Sequence, residues 1–215
     1  MQPDIILASG SPRRKELMQL LEVPFVVHVP QVDERAEPGE VPAEVPARIS
    51  KLKAERVAQR VQSGTVVAAD TVVIHKGEIL GKPRDADDAC AMLRRLRGDR
   101  HLVLTGLTVM DATGGKSITD VCESRVWLRE MTDGEIQAYV SSGDPLDKAA
   151  AYAIQNRAFA PVARVDGCPA NVMGLPMCHV VRNLRRLGHA LPPTKATACT
   201  IRYGYVCALR SYVEA

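Results

Sequence analysis

Apolar positions along this chain fall either in continuous runs or at helical spacing, and the switches between the two mark its elements. Ile5-Ile6-Leu7 is a short apolar run, and Leu17, Leu20 and Leu21 then fall at helical spacing. The pattern therefore predicts a strand over 4–8 and a helix over 13–21. Phe25 to Val29 reads as a second strand. Residues 30–46 are rich in Pro and Glu, show no period and read as a loop. Ile49, Leu52, Val57 and Val61 resume helical spacing, with Pro46 suited to the first turn. Val66-Val67-Ala68-Ala69 is a continuous apolar run, which predicts a buried strand ending at Asp70-Thr71. Val72-Val73-Ile74 resumes before a Lys76-Gly77 turn. Ala89, Met92, Leu93 and Leu96 define an amphipathic helix, with Gly98 as its stop. Two long strands, 101–111 and 117–128, flank Gly114-Gly115. Thr132-x-x-Glu135 is a capping box for a helix reaching about Tyr139. A short strand over 162–165 and a helix from near Pro176 to Gly188 complete the pattern.

Hairpins mixed with crossovers predict an α/β or α+β fold with a mixed sheet, not a uniform βαβ repeat. No internal repeat is visible, and the periodicity fades beyond about residue 192. A chain of 215 residues is enough for one large domain or two small lobes sharing a sheet. The boundary is set at 1–190 for the patterned domain, leaving 191–215 as a C-terminal tail without an assigned role.

Composition narrows the class. The net charge of +3 is too small to argue for nucleic acid or an acidic membrane surface. No apolar run approaches the ~20 residues of a membrane span, and no charged stretch followed by an apolar core reads as a signal peptide. The six cysteines form no C-x-x-C pair and read as buried thiols. Cys199 and Cys207, flanking Tyr203 and Tyr205, leave a local zinc or disulfide role open. The histidines at 28, 75, 101, 179 and 189 show no metal spacing. No G-x-S-x-G elbow is present. Covalent catalysis and zinc hydrolysis are therefore disfavoured.

The stretch most suited to chemistry is Leu7-Ala8-Ser9-Gly10-Ser11-Pro12-Arg13-Arg14, a strand, a small-residue loop and a helix start. Unpaired N–H groups and the helix dipole favour an anion there. Ser9 and Ser11 add hydroxyls, and Arg13 and Arg14 add guanidinium forks that match phosphate. A capped helix with two solvated arginines explains the same residues. A Walker loop is absent: Gly81-Lys82 is followed by Pro83. Asp70, at the expected strand end, suits a turn cap, a hard-cation ligand or a base for water. Glu34, beside Asp33, is either solvated or the second carboxylate of a Mg²⁺ site. Lys53 and Lys82 are candidate phosphate cations, although Lys53 lies on a charged helix. In Asp147-Lys148-Ala149-Ala150-Ala151-Tyr152-Ala153-Ile154-Gln155, small residues allow close approach, and Gln155 can read a base edge. A small-residue helix with a polar end is the plainer alternative.

Together these blocks resemble the Maf family of nucleotide pyrophosphatases. Val32-Asp33-Glu34, Lys53-Ala54, Ala69-Asp70-Thr71-Val72-Val73, Gly81-Lys82-Pro83 and Thr105-Gly106 belong to the match. So do Tyr139 to Pro145, Asp147-Lys148-Ala149, Ile154-Gln155 and Val172-Met173-Gly174-Leu175-Pro176. They follow family order over about residues 3–188. The resemblance implies an α/β fold, an elongated mixed sheet with flanking helices in two lobes and a cleft between them, similar to inosine triphosphatases. It implies a cytoplasmic homodimer that hydrolyses nucleoside triphosphates to the monophosphate and pyrophosphate. It also implies a divalent cation, Mg²⁺ or Mn²⁺, held by Glu34 and Asp70, with Asp70 catalytic. Ser9, Ser11, Arg13, Arg14, Lys53, Thr71, Lys82, Lys148 and Gln155 then form the substrate site.

Members that take dTTP and UTP match this chain at Arg13, Thr71 and Gln155, whereas those that take 7-methyl-GTP typically carry Trp, Gln and Glu there. The chain departs from the family at Ala150, Ala153 and Asn156, where glycine is usual. Specificity for modified nucleotides, or a regulatory role in septum formation, are the alternatives.

Overall fold

The computed structural model describes residues 4–192, 195 and 198–204. Its central element is an 11-residue strand, β3 (Thr65–His75). Before it come β1 (Ile5–Ala8), α1 (Pro12–Gln19), β2 (Phe25–Val27) and α2 (Val45–Ala58). After it come β4 (Glu78–Leu80), α3 (Ala86–Leu96), β5 (Arg100–Asp111), β6 (Ser117–Leu128) and α4 (Asp133–Ser141). Two 3-10 turns, Asp144–Asp147 and Ala149–Ala151, lead to β7 (Val162–Asp166), α5 (Pro169–Val172), α6 (Met177–Arg186) and α7 (Ala198–Tyr203).

The strands form one mixed sheet in the order β2-β1-β3-β5-β6-β7, with β4 beside the far end of β3. β1 runs parallel to β2 and β3, and the remaining pairs are antiparallel. The register creates the cleft. β1 pairs with residues 65–68 of β3, and β4 pairs with 73–75 on the same edge. Among the described residues no strand pairs with 69–72 on that edge, which leaves a notch between the two neighbours. Asp70 and Thr71 lie in it.

Apolar side chains pack in two groups on one face of the sheet. Leu7, Leu17, Val67, Leu107, Leu175 and Leu184 belong to one. Val73, Leu93, Val103, Leu128 and Ile136 belong to the other. Along β3 and β5 these groups occupy opposite ends, which makes the two lobes. The opposite face is covered by α2, whose Ile49, Ala54 and Val57 meet Leu104, Ala68 and Val66. Gly106 lets α2 lie that close: a Cβ there would fall 2.0 Å from the Pro46 carbonyl oxygen.

One expectation needs correction, and one alternative is set aside. The strand does not end at Asp70. β3 runs through it because Asp70 keeps its ladder position opposite Gly106 and its carboxylate meets a lysine from α2. Nor do residues 147–155 form a small-residue helix. Ala150 and Ala151 have φ of 59° and 57°, in the left-handed region, and the chain turns there instead. In the tail, Leu191 and Cys199 are buried against the first apolar group, and the Lys195 ammonium donates to Glu22. Tyr205 and Cys207 lie outside the described residues.

Candidate active site

A cleft of about 350 Å³ opens at the notch in the sheet. The β1–α1 loop forms one wall. Ser11 caps α1 by accepting from the Arg14 N–H at 3.4 Å, and Pro12 takes the first helical position. Ser9, nearly buried, accepts from the Ser11 N–H at 3.2 Å.

The two arginines separate. Arg13 is partly exposed and pairs with Asp147 at 3.3 Å, across the cleft mouth. Arg14 points into the protein. Its Nε donates to the Gly174 carbonyl at 2.8 Å, Nη1 to Ser9 Oγ at 3.3 Å and Nη2 to Thr71 Oγ1 at 3.2 Å. Burial lowers the Arg14 pKa, and the charges of Asp70 and Glu34 oppose that shift.

At the floor, Lys53 joins the two acids. Its Nζ lies 2.8 Å from Asp70 Oδ1 and 2.8 Å from Glu34 Oε2. Lys53 and Asp70 are buried, whereas the Glu34 side chain is 56% exposed. Lys53 sits on α2 because Ile49, Ala54 and Val57 seat that helix on the sheet. The helix also anchors the long loop carrying Glu34: Arg48 donates to both Glu40 carboxylate oxygens at 2.6 and 2.7 Å, and to the Arg35 carbonyl at 3.0 Å.

The other wall comes from the turns after α4. Lys148 Nζ bonds Asp147 at 2.6 Å and Asp144 at 3.0 Å. Asp144 also accepts from Tyr139 Oη at 2.7 Å and Asn156 Nδ2 at 3.0 Å. Partial burial would raise the Asp144 and Asp147 carboxyls, but their donors outweigh it and hold both below the usual range. Burial, then Asp144, raises the Tyr139 phenol, so it stays a donor. Gln155 and exposed Lys82 line the cleft, and neither side chain has a hydrogen-bond partner among the described residues.

The model of the family described as "Maf-like protein" matches residues 4–187. The chain belongs to the Maf-like family. The chain is also similar to three curated proteins over most of its length. A dTTP/UTP pyrophosphatase of Geotalea uraniireducens is 45% identical over 86% of this chain and 95% of its own. One from Methanosarcina barkeri is 44% identical over 86% of this chain and 94% of its own. One from Anaeromyxobacter dehalogenans is 45% identical over 89% and 98%.

In this Maf-like chain, Ser9, Ser11, Arg13, Arg14, Glu34, Lys53, Asp70, Thr71, Lys82, Lys148 and Gln155 all line one cleft. Sequence reasoning passed over Asp147, which lines this cleft, and Arg48, Tyr139 and Asp144, which brace the segments around it. Arg48 pairs with Glu40, Tyr139 donates to Asp144, Asp144 also meets Asn156 and Lys148, and Asp147 meets Lys148 and Arg13; of these pairs only Asp147-Lys148 is adjacent in the chain. Asn156, the residue set apart as a departure, has a use here. It ties Asp144 and receives the Phe159 N–H at 2.9 Å, which holds the turn after Gln155.

Proposed function

We propose that this chain hydrolyses nucleoside triphosphates at the α–β anhydride, giving the monophosphate and pyrophosphate, with dTTP and UTP preferred. One observation carries the reading. Buried Asp70 and exposed Glu34 converge on Lys53 at the floor of a cleft whose rim bears Arg13 and Lys82. The names of the relatives support the same chemistry and the pyrimidine preference.

The roles follow from charge and position. Lys53, Lys82, Arg13 and Arg14 offset the triphosphate charge and hold its oxygens in place. Asp70 takes the proton from water as its oxygen bonds to phosphorus, the P–O anhydride bond breaks and pyrophosphate leaves. Gln155, free to use both amide donors and its carbonyl, pairs with the imide edge of the base.

Glu34 and Asp70 suit a divalent cation. Both are hard oxygen donors that line the same cleft, and together they would hold such an ion. Mg²⁺ or Mn²⁺ bound through them would supply charge neutralisation at the phosphates. Among the described residues no cluster of three or more metal-binding side chains occurs, so Glu34 and Asp70 would be the side chains to hold such a cation. No described helix is long and apolar enough to cross a membrane.

The test is a panel of common and modified nucleotides with Mg²⁺ or Mn²⁺, scored for pyrophosphate release. Release from dTTP and UTP ahead of other nucleotides is expected. Release of inorganic phosphate alone, or no turnover at all, would refute the reading.

A further inference from the structure

Thr105 is buried beneath the cleft, and its hydroxyl makes two hydrogen bonds that run in a forced direction. Thr105 Oγ1 lies 3.1 Å from the Asn171 carbonyl oxygen, which can only accept. Its single proton is therefore committed there. The 2.8 Å contact between Thr105 Oγ1 and Thr71 Oγ1 must then be donated by Thr71. That spends the one proton of Thr71, so toward Arg14 Nη2, 3.2 Å away, Thr71 is an acceptor. The sequence of donors thus runs Arg14 to Thr71 to Thr105 to Asn171.

The far end is equally constrained. Asn171 is fully buried, and its Nδ2 donates to the Val103 carbonyl at 3.0 Å and to Ser124 Oγ at 2.9 Å. Ser124 Oγ in turn donates to the Cys168 carbonyl at 3.1 Å. The near end leaves no room for movement either. Gly174 has φ of +100°, and a Cβ on it would lie 3.2 Å from Arg14 Nε and 3.3 Å from Thr71 Oγ1. Three of the five Arg14 N–H groups are thereby fixed, and two have no protein partner among the described residues.

We infer that Thr105 is a positioning residue for substrate binding. By setting the hydrogen-bond direction at Thr71, it holds the Arg14 guanidinium in one plane with two N–H groups presented to an anion. Two consequences follow. Thr71 cannot donate to a phosphate oxygen, so its part in the cleft is to orient Arg14. A side chain of the same shape as threonine but without a hydroxyl cannot replace Thr105. The anion-binding half of this inference rests on the pyrophosphatase reading, and the orientation of Arg14 does not.

The experiment therefore has two readouts on the full chain. In ¹⁵N NMR, the Arg14 guanidinium should give separate, slowly exchanging signals in the wild type and in Thr105→Ser. In Thr105→Val those signals should merge. Calorimetry with inorganic pyrophosphate should show affinity about tenfold weaker in Thr105→Val, with Thr105→Ser near the wild type. In a Thr71→Val background, Thr105→Val should add little, because both changes cut one path. Unchanged Arg14 signals in Thr105→Val, or fully additive effects of the two valines, would overturn the proposal. Merged signals with unaltered pyrophosphate affinity would leave the positioning role standing and remove anion binding by Arg14.

Discussion

The Lys53 ammonium lies 2.8 Å from the Asp70 carboxylate, and both side chains are buried. Such a pair is costly to break from one side, because the remaining charge is largely buried and poorly compensated. The two ends are not equivalent, however. Lys53 has a second partner in Glu34, whereas Asp70 has Lys53 as its one ion-pair partner among the described residues.

Asp70→Asn should therefore keep the fold while stopping turnover. The amide oxygen still accepts from Lys53, and Glu34 still balances its charge. Loss of the base alone lowers the rate ~10²–10⁴-fold. Lys53→Ala should instead lower stability by about 3–5 kcal/mol, since a buried carboxylate loses its counter-ion. Denaturant titration beside steady-state kinetics separates the two. An Asp70→Asn protein with half the normal rate would exclude Asp70 as the base.

Chelation should stop the reaction, and added Mg²⁺ or Mn²⁺ should restore it. Glu34 and Asp70 are hard donors, and no histidine or cysteine lines the cleft among the described residues. Full activity in EDTA with metal content measured as nil would count against a metal-assisted reaction.

Base choice should depend on Gln155. Its amide has no protein partner among the described residues, so a ligand can use both the donor and the acceptor. Gln155→Glu should weaken dTTP and UTP hydrolysis by ~10-fold or more, because a carboxylate cannot donate to the base O4. If the ranking of substrates is the same in Gln155→Glu, the base is read elsewhere.

Ala150 should tolerate glycine better than valine. Its φ of 59° is strained for a residue with a Cβ, and its N–H donates to the Gly81 carbonyl at 2.9 Å, so the turn cannot relax freely. Ala150→Gly should raise the melting temperature by about one or two degrees, the relief of strain exceeding the lost contact and chain entropy. Ala150→Val should lower it by roughly 5 °C, since branching worsens the strain in a buried position. The opposite order in a thermal melt would show that the left-handed turn does not hold in solution.

Truncation after Pro192 should lower stability more than activity. Cys199 is buried against the first apolar group, so its removal uncovers part of that core, while no residue beyond 192 lines the cleft among those described. A fall of about 2–4 °C per kcal/mol lost is expected, with kcat unchanged in the folded fraction. Loss of turnover in a folded truncated chain would place the tail in the site.

Much of this protein is determined locally. Continuous apolar runs and the 3.6-residue period place the strands and helices, because β1 and β3 are buried on both faces while an amphipathic helix such as α3 buries one stripe, and both signals depend only on spacing. The Ser9 to Arg14 segment is legible for a similar reason: a cap, a proline at the first turn and small residues act within a few positions of one another. Tertiary structure decided the rest. A buried carboxylate at Asp70 ends a strand on paper, and it continues here only because α2 brings Lys53 across from 17 positions away. Whether Arg13 and Arg14 act alike is likewise undecided in the sequence, since neighbours on a helix face different surroundings; Asp147 takes one, and Thr71 and Gly174 take the other. The forced direction of the Thr105 hydroxyl depends on a carbonyl 66 residues away. Spacing along a chain records which face a residue occupies, and only folding settles which charge or hydrogen-bond partner waits there.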